Sequence, residues 1–88
     1  MNKMTEALDP KTQELVGLAA AVAGHCQPCF TYHYKEALAL GIPVPAIQAA
    51  VEIARAIRGS GDRQMDEFVM RRMKEAVAGD SEKENKNG

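Results

Sequence analysis

With 88 residues the chain has room for one small domain, and its 45% hydrophobic content, without a tryptophan, favours completing the core against a second copy. A net charge of −1 offers no basic face to a nucleic acid, and the longest apolar run, around Leu15–Ala23, falls short of the ~20 residues of a membrane span. The polar stretch Met1–Thr12 lacks the apolar segment of a signal peptide, so the chain is expected to be soluble and cytoplasmic, with neither nucleic acid nor membrane as a partner.

In chain order, residues 1–9 read as a flexible N-terminal arm. Asp9 before Pro10 is a good N-cap, and the first helix is predicted from Pro10 to Gly24. It is apolar nearly all round from Leu15 to Ala23 and is expected to be buried on most sides. A second helix runs from Pro28 to Gly41. In a third, from Pro45 to Gly59, Ile47, Val51, Ala54 and Ile57 recur at helical spacing. Gly59-Ser60-Gly61 reads as a helix–helix turn, with Ser60 or Asp62 capping a fourth helix to Gly79 that carries Met65, Phe68, Val69, Met73 and Ala76. No stretch alternates with period two. The fold class is therefore all-α, four main helices in a single domain over 10–79, followed by a disordered tail over 80–88 that has no apolar residue.

The stretch Gly24-His25-Cys26-Gln27-Pro28-Cys29-Phe30-Thr31-Tyr32-His33 carries the chemistry. In a reducing compartment a C-x-x-C pair is more often redox-active or metal-binding than a structural staple. Pro28 at a helix start places Cys26 near the N-cap and Cys29 in the first turn, where unpaired N–H groups and the helix dipole stabilise a thiolate. Cys29 and His33 stand four apart, so His33 is placed to take the Cys29 proton or hold the thiolate as an ion pair. Glu14, Leu18, Ala21 and His25 share one stripe of the first helix. If the first two helices form a hairpin about Gly24–Gln27, Glu14 comes within roughly a side chain and a water of His33 and orients its ring.

The spacing Glu14-x11-Cys26-x2-Cys29-x3-His33 resembles the active-site signature of the carboxymuconolactone decarboxylase-like family, specifically its alkylhydroperoxidase D branch, over about residues 10–79. The resemblance implies an all-α fold assembled as a homo-oligomer, commonly a trimer or hexamer. It also implies a thiol mechanism that needs no cofactor. The residue matching Cys29 attacks a peroxide and becomes a sulfenic acid, the residue matching Cys26 donates a proton and closes the disulfide, and those matching Glu14 and His33 relay protons. One departure is specific: the branch has a histidine just before its second cysteine, where this chain has Pro28, which leaves disulfide exchange as open as peroxide reduction. The chain is also about half the length of two-repeat members. The decarboxylase branch does not characteristically carry the cysteine pair.

The expected partners are thus a small peroxide or disulfide substrate and an external thiol reductant. Two other readings stand beside this one. Cys26, Cys29, His33 and His25 offer zinc-type ligands, although structural zinc sites usually combine two separated pairs and no second pair exists here. A helical interaction module without turnover is the other. Tyr32, Tyr34, Met65, Met70 and Met73 read as packing or interface residues, and Arg55, Arg58, Arg71 and Arg72 as solvated faces, intersubunit pairs or the rim of a site. A thioredoxin-like arrangement is a poor fit despite the C-x-x-C, because no strand precedes the helix and no β-α-β pattern exists.

Overall fold

The structure is a computed structural model that describes the backbone of residues 3–87 and the side chains of residues 5–79. Its elements are a 3-10 turn, Lys3–Ala7, and three α-helices: α1, Pro10–Ala23; α2, Gln27–Ala39; and α3, Val44–Asn87. No strand occurs among the described residues, so the all-α class holds, but with three helices where four were predicted. By internal contacts the chain divides into two units, Met1–Arg58 and Gly59–Gly88.

In the first unit each helix boundary has a chemical cause. Asp9 is the N-cap of α1: its carboxylate accepts from the Thr12 backbone N–H at 2.8 Å and from the Thr12 hydroxyl at 3.0 Å, with Pro10 at the first helical position. Gln13 reaches back and donates to the carbonyls of Thr5 and Leu8, both at 2.7 Å, tying the 3-10 turn to the start of α1. The two helix ends that follow use one device. After α2, Gly41 takes a left-handed backbone (φ 75°), its N–H donates to Leu38 O at 3.0 Å, and Ile42 N–H donates to Ala37 O at 3.1 Å. After α1, His25 occupies the equivalent place at φ 57°; its N–H donates to Val22 O at 3.3 Å and Cys26 N–H to Ala21 O at 2.9 Å. Both turns satisfy the last carbonyls of their helix through a left-handed residue. Only the turn after α2 uses glycine.

The core of this unit is small. Leu18, Ala37, Ile42 and Ile47 are its buried members, with Leu15, Phe30, Tyr34, Ala46 and Val51 packed around them. Helix α1 buries a single stripe of Glu14, Leu18 and Ala21. The expectation that it would be buried on most sides therefore fails within one chain, where Val16 is 52% exposed.

The predicted turn at Gly59-Ser60-Gly61 does not form: the helical assignment runs through it unbroken. Glycine lowers helix stability by about 1 kcal/mol per residue but does not by itself stop a helix. A left-handed residue just past the last turn is a common helix stop, and Gly41 is the only glycine with positive φ among the described residues. Gly41 is also followed by Pro43, whereas no proline follows Gly59 or Gly61.

The second unit is a single helical segment whose Met65, Phe68, Met73 and Val77 are exposed. Arg72 lies over the Phe68 ring at 5.9 Å and pairs loosely with Glu75 at 3.8 Å. No helix among the described residues is long and apolar enough to cross a membrane. The side chains of residues 1–4 and of the expected tail, 80–88, lie outside the described residues.

Candidate functional site

The turn between α1 and α2 fixes Cys26 from three directions. Its N–H closes α1 on Ala21, its carbonyl accepts the first α2 bond from Phe30 N–H at 3.0 Å, and its sulfur, as N-cap, accepts from Cys29 N–H at 3.3 Å. The sequence placed Cys26 near the N-cap and Cys29 in the first turn, and that is where the structure has them. The two cysteines form a disulfide with their Cα atoms 5.2 Å apart, a span the first turn of a helix supplies. Cys29 is exposed and Cys26 half-buried.

One turn further along α2, His33 meets α1. Its Nδ1 lies 2.7 Å from Oε2 of Glu14, with no room for a water between them. Glu14 is only 8% exposed and is the only buried charged residue among the described residues. A buried carboxylate is stable only when hydrogen-bonded or paired, and His33 supplies that partner. The bond joins one carboxylate oxygen to one ring nitrogen, and the other ring nitrogen, Nε2, has no protein partner among the described residues. Tyr32 stands edge-on to the His33 ring, centroids 5.1 Å apart, while Tyr34 stacks on Phe30 at 5.6 Å against the core.

All four residues singled out by spacing thus fall in two linked pairs, Cys26 with Cys29 and Glu14 with His33. No hydrogen bond joins the two pairs among the described residues. His25 is not in either pair; it is exposed and holds the left-handed position of the turn. No group of three or more His, Cys, Asp or Glu is arranged to hold a metal ion among the described residues.

The sequence marks Gly17 as one of several small residues of the first helix that allow close helix approach, without showing what approaches there. A Cβ built at this position would lie 2.6 Å from Nδ1, 2.7 Å from Cε1 and 2.8 Å from Cγ of His33. The absence of a side chain is what lets the imidazole lie against α1 and reach Glu14. The available signal was its position, one helical turn after Glu14 on a helix that faces His33.

The fold and site define an all-helical protein with a dithiol–disulfide pair at a helix head and a buried carboxylate–imidazole pair one turn away. The sequence model of the carboxymuconolactone decarboxylase family matches residues 1–64, and the chain belongs to that family. Comparison with curated proteins and with solved structures gave no match.

Proposed function

We propose that this chain is a thiol-dependent oxidoreductase of the alkylhydroperoxidase D type, which reduces a peroxide or a disulfide through a Cys26/Cys29 dithiol–disulfide cycle. The observation that carries the reading is the disulfide at the head of the same helix whose His33 is held by buried Glu14 at 2.7 Å. Family membership supports it, since the family includes peroxidases of this kind.

In the reduced state, Nε2 of His33 takes the proton of Cys29, one helical turn away, and the helix N-terminus stabilises the thiolate. The thiolate attacks the distal oxygen of a hydroperoxide. The O–O bond breaks, Cys29 becomes a sulfenic acid, and the leaving alkoxide takes a proton to become an alcohol. Cys26 thiolate then displaces hydroxide from the sulfenic sulfur, giving the disulfide and, with a proton, water. A disulfide substrate would be reduced by two successive exchanges instead. Two external thiols restore the dithiol. Glu14 keeps the imidazole oriented throughout and is a positioning residue. Lactone decarboxylation is the weaker reading of the family's chemistry here, because it gives the cysteine pair no role.

The exposed Met65, Phe68, Met73 and Val77 support the further reading that the protein works as a homo-oligomer. Apolar side chains this exposed in one chain gain free energy by packing on a copy.

The test is consumption of hydrogen peroxide by the full chain with dithiothreitol as donor. Wild type turns over, Cys29→Ser is inactive, and Cys26→Ser leaves a thiol that oxidises beyond sulfenic acid. Loss of reactivity in Cys26→Ser with a still reactive Cys29→Ser would exchange the two roles. Wild type inert to both peroxide and a small disulfide would overturn the reading.

A further inference from the structure

Beside the disulfide lies an open cleft of about 480 Å³ that the cycle above does not use. Its wall includes His25, Cys26, Gln27, Phe30, Thr31 and Arg58, but neither Cys29 nor any carboxylate. The guanidinium of Arg58 is half-buried and fixed: Nη1 donates to Val22 O at 3.0 Å, on the last turn of α1. That bond uses one of the five N–H groups of the side chain, and the others have no protein partner among the described residues. Its neighbour Arg55 is different, being paired with Glu52 at 2.9 Å on the surface. The second polar group of the wall, His25, stands at φ 57°, where α2 ends in glycine at φ 75°. A side chain kept at a left-handed position that glycine fills without strain marks a place to look for function.

We propose that this cleft is the docking site of the reductant, and that the reductant is a small thiol bearing a carboxylate. The proposal rests on the dithiol reading. The carboxylate pairs with Arg58, with His25 as a further donor, and sets the donor thiolate against the sulfur of Cys26, the cysteine that lines the cleft. A new bond forms between the donor sulfur and Cys26, the Cys26–Cys29 bond breaks, and the electron pair leaves on Cys29 as a thiolate held at the helix N-terminus. A second donor thiolate attacks the donor sulfur of the mixed disulfide and releases Cys26 thiolate together with the donor disulfide. Two donor thiols are oxidised, one protein disulfide is reduced, and the two donor protons end on the cysteines. Oxidant and reductant then approach different sulfurs, the oxidant at exposed Cys29 and the reductant at Cys26.

The test measures how fast the oxidised full chain is opened by 3-mercaptopropionate, 2-mercaptoethanol and cysteamine. Samples are acid-quenched, thiols are counted by intact mass, and rates are corrected for each thiol's thiolate fraction. The expected order is anionic, then neutral, then cationic, with the anionic thiol ahead by about tenfold at low salt and by less at high salt. The anionic advantage is lost in Arg58→Gln and kept in Arg55→Gln. Because the charge order is read on wild type, it stands as a test even where Arg58→Gln folds poorly. Equal corrected rates for the three thiols, or an anionic advantage that survives Arg58→Gln, overturns the cleft assignment and leaves the dithiol cycle intact. A disulfide that none of the three opens overturns the dithiol reading itself.

Discussion

Met1–Arg58 and Gly59–Gly88 are built from the same material, apolar residues at helical spacing, and they end differently. In the first unit the stripes of α1, α2 and the start of α3 bury one another, and Leu18 is wholly inaccessible. In the second, Met65, Val69, Met73 and Val77 recur every fourth residue along a single helix with no second element of the unit among the described residues to pack on, and Met73 is 58% exposed. Every residue of the candidate site lies in the first unit, and the family match covers all of that unit but ends at residue 64. Amphipathic period therefore fixes a helix face, but only a partner makes that face a core. The first unit contains its partner, whereas the described apolar side chains of the second have none within that unit.

The largest expected effect separates the two units directly. Leu18→Ala removes a fully buried side chain and should cost about 2–5 kcal/mol, whereas Met73→Ala should change the stability of dilute protein by no more than about 0.5 kcal/mol. Chemical denaturation at low concentration checks both, and equal costs would break the comparison.

Gly17→Ala comes next and acts on the site. Alanine favours the helix by about 1 kcal/mol, but its Cβ would meet the His33 ring at 2.6 Å. The ring sits at the end of a rotatable side chain, so it gives way rather than the backbone. Because Glu14 then loses its buried partner, the helix gain is outweighed and stability should fall by a net of about 1–2 kcal/mol, while peroxide turnover falls about a hundredfold, the scale of a general base. In the nitrogen NMR spectrum the His33 Nδ1–H signal characteristic of the Glu14 bond should also disappear. A variant with that signal and full activity would remove Gly17 from the site.

The second unit has its own test in Phe68→Glu combined with Met73→Glu. If these side chains pack on a copy, losing both weakens association by about 3 kcal/mol or more, upwards of a hundredfold in dissociation constant. Sedimentation velocity over a concentration series reads this, and unchanged association would assign the oligomer contact to another face. Should wild type itself remain monomeric, the second unit's partner is not a copy.

The smallest effect concerns the start of α1. Hydrogen bonds, the Thr12 backbone N–H first, hold the Asp9 carboxyl below the ordinary carboxylate range. A depressed folded value contributes stability above the unfolded value and loses it as pH falls through the folded one. Asp9→Ala should thus lower Tm slightly at neutral pH, with the difference closing in acid. A difference independent of pH would assign the cap to something other than the charged carboxylate.

The site was more legible in the sequence than the ends of the helices. Glu14, Cys26, Cys29 and His33 were found by spacing because helical geometry converts spacing into a shared face, and the hairpin about Gly24–Gln27 brings α1 against α2. Gly17 was legible only as a small residue allowing close helix approach, because its role is to lack an atom and only the partner helix shows which atom would clash. The turn predicted at Gly59-Ser60-Gly61 failed because glycine permits a left-handed stop without requiring one. His25 is the converse case: the left-handed position was real, but the residue holding it was not the glycine the pattern led one to expect, since histidine can adopt this conformation at some cost in strain.

The most direct test of the dithiol cycle is the intact mass and free-thiol count of the reduced full chain, before and after one equivalent of hydrogen peroxide at neutral pH. The account predicts rapid loss of about 2 Da, two hydrogen atoms, with Cys26 and Cys29 both consumed and no added oxygen. Two thiols that persist through the treatment would contradict it.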